Sequence, residues 1–314
     1  MNEHKKVFSR IGFNYLLLAL IPLIFQIIIV NIIALIDVNL IKNINVQTIL
    51  GALTNYILIL PVFVYLMGKI DSTTIPEEGV GIKRFITYIA ISMVLMWVGS
   101  IIGIIITTIL GNTVTDNIVN PIEKLIENSS IYINLIVITI LAPIFEEIFF
   151  RKLLIDRTIK YGAKLSILLS ALLFALFHGN LSQFFYAFLL GGFFAYIYIK
   201  TGKIIYTIIC HLIVNFYGSV FSTFFNTAIH NINNQISMAN AGDIAVVALY
   251  IISLIIFWSI GLYTIFKNYK NIKLDDSLRE IYLEKPVQTV LLNVGMILFI
   301  LYHIIVILQS INLI

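Results

Sequence analysis

The chain alternates between long apolar runs and short polar connections. Apolar runs lie at about 11–36, 46–68, 85–110, 131–150, 164–178, 181–199, 203–225, 244–266 and 287–309, and most approach the twenty or so residues that carry an α-helix across a bilayer. A bilayer interior offers no water to unpaired backbone groups, so such runs predict helices. The expected fold class is all-α, a polytopic membrane bundle of about eight or nine transmembrane segments. The 164–178 and 181–199 runs are split only by Gly179-Asn180 and read either as two passes or as a hairpin turning inside the membrane. Both begin and end on one side, so the orientation of the rest does not depend on the choice.

Composition agrees with this pattern. Of the 314 residues, 60% are apolar and 11% charged, against about a quarter charged in soluble domains. A soluble chain of this size could not cover its surface, which excludes soluble enzymes and nucleic-acid binders and makes lipid the expected surroundings. The 11–36 run is longer than a signal-peptide apolar region and lacks a small-residue cleavage pattern, so it reads as a first span. The longest connections, 111–130, 226–243 and 267–286, are too short for a separate domain. Residues 1–314 are therefore expected to form a single integral membrane domain.

Charge adds direction. With the N-terminus inside, eighteen of the twenty Lys and Arg fall on the cytoplasmic side, leaving Lys42 and Lys124 outside. This bias predicts a multi-pass protein of the cell membrane with a cytoplasmic N-terminus and the C-terminus outside.

Few polar groups interrupt the apolar runs, and those that do concentrate between 131 and 220. Glu146 and Glu147 stand in Ala-Pro-Ile-Phe-Glu-Glu-Ile-Phe-Phe-Arg, ending at Arg151. An ionised carboxylate in a bilayer costs about 2.5–3.5 kcal/mol on insertion scales, so an intramembrane acidic pair points to a functional site. On a helix Glu147 and Arg151 are i,i+4 neighbours, whereas Glu146 points about 100° away and has no local cation. Glu147 is thus expected to stay ionised and oriented, and Glu146, desolvated beside a like charge, to suit a general base. Pro143 cannot donate, which on an α-helix frees the carbonyl of Thr139.

His178 closes the run Phe174-Ala-Leu-Phe-His. If the glutamate helix turns at Gly162, Glu146 lies sixteen residues before the turn and His178 sixteen after it, each about 24 Å along its helix. An antiparallel pair brings them to one height. His211 and Asn215 are i,i+4 in a polar stripe with Thr207, Ser219 and Ser222. His211 is only eight residues beyond Lys203, which places the site nearer the cytoplasmic face and suits a cavity opening there. Interhelical hydrogen bonding would also account for the stripe, but the second His and the glutamates favour a functional face. Cys210 faces away from it and reads as a small buried hydrophobe, unable to form an internal disulfide. Ala187, Gly191, Gly192 and Ala195 form a small-residue packing face. His4, in a tail, His230, in a loop, and His303 read as structural.

Taken together, Glu146-Glu147-Ile-Phe-Phe-Arg151, Phe174-Ala-Leu-Phe-His178 and His211-Leu-Ile-Val-Asn215 resemble the EExxxR, FxxxH and HxxxN motifs of the CPBP intramembrane proteases. That family comprises type II CAAX prenyl endopeptidases and Abi-like bacteriocin-processing proteins. The resemblance covers about 131–220, the expected catalytic core. It implies an intramembrane peptidase with Glu146, Glu147, His178, His211 and Asn215 as catalytic residues, in which Glu146 and His178 activate water, His211 and Asn215 stabilise the oxyanion, and Arg151 and Phe174 give structural support. Its substrate would be a CAAX-like tail, a leader or a pheromone peptide. The family is commonly labelled metalloprotease, and Glu146, His178 and His211 could hold zinc with a water as fourth ligand; the same residues could equally work without metal. HExxH, GxSG and GxGD motifs of other intramembrane proteases are absent. Two other classes stand beside the peptidase: a catalytically silent immunity or interaction protein, and a transporter using the glutamate pair as a cation or proton site.

Overall fold

A computed structural model describes residues 3–113, 121–234, 241–271, 274 and 276–313. Among these, seven helices are long and apolar enough to cross a membrane. They are α1 (Glu3–Ile36), α2 (Ile44–Gly68), α3 (Ile82–Gly111), α5 (Ile131–Tyr161), α7 (Leu181–Thr201), α8 (Ile204–Asn233) and α9 (Ala241–Asn268). The short α4 (Pro121–Asn128) precedes α5. Two further apolar helices, α6 (Ala163–Phe177) and α10 (Val294–Ser310), are shorter. The chain is thus an all-α polytopic membrane bundle with seven candidate spans, fewer than the eight or nine expected.

The shortfall has local causes. Helix α6 stops at His178 because Gly179 takes a left-handed φ of 64° and the Asn180 side chain caps the next helix through Gln183 N. Its fifteen residues reach about 22 Å. In the 287–309 run, a short helix over Pro286–Val290 ends and Asn293 starts α10 afresh by capping Met296 N. Helix α8 also runs on to Asn233 and α9 begins at Ala241, so that helices take in both ends of the expected 226–243 connection, His230 included; 235–240 lies outside the described residues, as does 114–120. His4 likewise sits in α1 rather than in a tail.

Contacts between connections sort the bundle into two ends. At one end the Arg10 guanidinium donates to Lys69 O (3.1 Å), Arg157 Nε donates to Met67 O (2.6 Å), and the Glu280 and Ile281 N–H groups donate to Lys160 O. Lys203 lies 3.8 Å from Glu77 at the same end. At the other end Ser130 N–H donates to the Asn45 side chain, and Asn231 donates to Asp243. The Lys- and Arg-rich connections thus gather at one end of the bundle. Helices α6 and α7 form a hairpin that enters and leaves there. Its tip residue Ser182 meets Gly103 of α3, and α3 continues about 12 Å past that point.

Close helix approach holds the hairpin together. A Cβ at Gly191 would stand 3.1 Å from Ala171 Cα and from the Phe174 ring, so the small-residue face of α7 is a packing face against α6. Cys210 is fully buried in an apolar cluster with Tyr88, Met93 and Phe194.

Four stretches wind as π-helix: Leu53–Leu58 in α2, Asn134–Leu141 and Ile148–Leu153 in α5, and Tyr217–Phe221 in α8. Such wide turns recur at functional sites because they re-aim side chains and free carbonyls. Two of them contain Tyr56 and Arg151, and the other two lie within about two turns of Glu146 and Asn215.

Candidate active site

Helix α5 brings the two glutamates into different surroundings. Glu147 is fully buried, with Arg151 Nε 3.0 Å from its Oε2 and Arg151 Nη2 donating to its Oε1 at 3.2 Å. The Nη2–Oε1 contact is the hydrogen bond of this pair, while Nε and Oε2 meet by charge without one. The guanidinium also donates to Ser170 Oγ (2.9 Å), and Ser170 passes its own hydrogen to Phe150 O. It lies over the Phe174 ring, 4.6 Å from the centroid, a cation–π contact made inside an apolar cluster. Phe174 is therefore a platform for Arg151.

His211 joins this network from α8. Its Nδ1 lies 3.0 Å from Glu147 Oε1 and its Nε2 3.8 Å from Glu146 Oε2. Ionised Glu147 can only accept, so Nδ1 carries the hydrogen and Nε2 is turned to Glu146. Glu146 itself is partly exposed and accepts a hydrogen bond from the Tyr56 hydroxyl at 3.2 Å. Tyr56, stacked on Phe145, lies outside every motif. Nothing in an apolar run ninety residues away marked it as a partner for Glu146.

His178, at the end of α6, has Nδ1 2.8 Å from Phe174 O. A carbonyl only accepts, which puts the hydrogen on Nδ1 and leaves Nε2 as the free ring nitrogen. Its ring packs edge-on to Phe174 and to Tyr186.

Asn215 donates from Nδ2 to Ile138 O at 2.9 Å. The π register explains this acceptor. Ala142 N–H bonds back to Val137 O, five residues earlier, so the next donor in that register would serve Ile138, and position 143 is proline. The carbonyl freed by Pro143 is thus Ile138's, in place of the expected Thr139's, and Asn215 takes it up. One turn on, Ser219 Oγ and Thr139 Oγ1 are 3.0 Å apart. The α8 stripe therefore does join helices by hydrogen bonds, as well as facing the site.

Glu146, His178, His211 and Asn215 line one cavity of about 610 Å³. Glu147 and Arg151 sit behind its wall. His303, in α10, is buried against Phe299 and outside the cavity lining. From these four residues the cavity runs to Gln47 and Thr48 of α2 and Leu125 and Ile126 of α4, away from the basic end. The expected opening toward the basic connections is not where it extends. The cause is a plug: Phe149, Phe150, Arg151, Phe174 and Phe194, all essentially inaccessible, fill the bundle on that side.

A zinc set of Glu146, His178 and His211 does not fit this arrangement. Among the described residues no three His, Cys, Asp or Glu side chains come together as a metal-holding group.

Comparison with known proteins adds a family-level finding. Residues 128–217 match a family described as Type II CAAX prenyl endopeptidase Rce1-like. The chain therefore carries an Rce1-like domain over that stretch, within which all seven motif side chains named above fall. No curated protein and no solved structure matches.

Proposed function

We propose that this Rce1-like domain, carried in a polytopic membrane bundle, is an intramembrane endopeptidase that hydrolyses a peptide bond of a membrane-associated substrate. The observation carrying the proposal is the division of labour between adjacent carboxylates: Glu147 is consumed by Arg151 and His211, while Glu146 Oε2 faces a cavity shared with His178, His211 and Asn215. A water within hydrogen-bond reach of both Glu146 Oε2 and His211 Nε2 fits the 3.8 Å separation.

In the proposed reaction the water oxygen attacks the peptide carbonyl carbon as Glu146 takes its proton. The carbon–nitrogen bond then breaks, and that proton passes, through Glu146 or His178, to the leaving amine. Charge building on the carbonyl oxygen is met by the second Asn215 amide hydrogen and by His211 when its Nε2 carries a proton. Glu147 and Arg151 are positioning residues: they fix the imidazole of His211. The substrate is a peptide tail, leader or pheromone held at the membrane, and the N-terminus lies in the cytoplasm.

The plug under the site favours a peptidase over a transporter, since a transport path needs polar groups on both sides of the glutamates. An immunity or interaction protein that has lost catalysis would have no need of a cavity-facing carboxylate beside two histidines. The test is cleavage of a peptide panel by the purified, reconstituted protein, with Glu146→Gln as control. Site-specific products from the wild type alone support the proposal. Products unaffected by Glu146→Gln, or none from any membrane-bound peptide, would overturn it.

A further inference from the structure

The direction in which the cavity runs carries a consequence for where substrate comes from. On three of the lining helices a residue of the site is the lining residue nearest the basic end: Tyr56 on α2, Glu146 on α5, His211 on α8. Tyr56 lies twelve residues from Gly68, about 18 Å, whereas Ile44, also in the lining, lies about 36 Å away. On α8, His211 is about 10 Å and Gly218 about 21 Å from Ile204 at the basic end. Exposed lining residues, Gln47, Asn55 and Gly218 among them, mark the open part. Beneath the site Phe150, Arg151 and Phe194 are completely inaccessible.

The wall chemistry is equally one-sided. Among the described residues Glu146 is the only carboxylate in the lining, and Lys and Arg are missing from it. Amides recur along its length at Gln26, Gln47, Asn55, Gln183 and Asn215. Amide groups both donate and accept, as an extended peptide backbone requires, and carry no charge to be desolvated.

We propose that the site takes uncharged, extended peptide segments from the extracytoplasmic side of the membrane, through the mouth bounded by Gln47 and Gly218. Two independent observations carry this: the cavity opens at the end opposite the basic connections, and the positive-inside rule makes the basic end cytoplasmic. The side of entry rests on the peptidase reading only for the identity of what enters.

The test is cysteine accessibility in the full chain, expressed in cells with Cys210 replaced by Ala. Gln47→Cys and Gly218→Cys probe the mouth, and Lys83→Cys probes the basic end. Expected is reaction of Gln47→Cys and Gly218→Cys with a membrane-impermeant maleimide in intact cells, with Lys83→Cys reacting only in inverted vesicles. Mouth cysteines that react only in inverted vesicles, or in neither preparation, would overturn the proposal. Labelling is read without turnover, so an outward-facing mouth on an inactive protein would sink the peptidase reading alone. An active protein whose mouth labels from inside would sink only the side of entry.

Discussion

The Nδ1 of His211 lies 3.0 Å from Oε1 of Glu147, which is also bound by Arg151. One carboxylate thus orients an imidazole from a second helix while its sequence neighbour, Glu146, is left toward the cavity. Adjacent, chemically identical side chains acquire different work from a 100° step of helix.

That division predicts different outcomes for two conservative substitutions. Glu146→Gln should abolish cleavage with little change in thermal unfolding, because shape and burial are kept. Glu147→Gln should lower stability by about 3–5 kcal/mol, the range for breaking a buried pair and stranding its partner charge. Unfolding followed in detergent checks both. Equal stability of the two variants would contradict the assignment.

Asn215 and Pro143 should be energetically coupled. Asn215→Ala strands the Ile138 carbonyl, a loss of about 1–3 kcal/mol. In a Pro143→Ala background a backbone N–H becomes available to the same carbonyl, so Asn215→Ala should cost less there. A double-mutant cycle measures the difference. Strict additivity would mean that Asn215 does not substitute for the missing donor.

Tyr56→Phe removes one hydroxyl and the hydrogen bond to Glu146 Oε1. Catalysis should fall by about tenfold, the rate equivalent of a hydrogen bond to a charged group near its lower limit. The stacking on Phe145 remains, so thermal stability should hold. Unchanged kcat in this variant would remove Tyr56 from the account.

Metal depletion should leave cleavage intact. The donors around the site do not gather into a three-ligand group, so elemental analysis should find zinc well below one per chain, and dialysis against chelator should not stop turnover. Stoichiometric zinc that is lost in His178→Ala and needed for activity would contradict this.

Much of the arrangement was legible in the chain itself. Spacing alone predicted the Glu147–Arg151 pair and the packing face around Gly191, because i,i+4 geometry and small-residue approach are local properties of a helix. The apolar runs left open whether 164–178 spans and did not show the break within 287–309, since hydropathy does not reveal where a left-handed glycine or an asparagine cap interrupts a helix. Tyr56 went unseen because its contact spans ninety residues. The carbonyl taken up by Asn215 was misassigned by one residue, as π winding is not written in hydropathy. The cavity's direction was also misjudged: depth along one helix says where His211 lies, and nothing about which side the phenylalanines fill.

The central claim is that Glu146 activates water for peptide hydrolysis, and cleavage in H₂¹⁸O tests it most directly. Reconstituted wild type and Glu146→Gln are compared at matched folded fractions, with products weighed by mass spectrometry. The account predicts one ¹⁸O in the new carboxylate of the wild-type product and no product from Glu146→Gln. Labelled product formed at the wild-type rate by Glu146→Gln would contradict it.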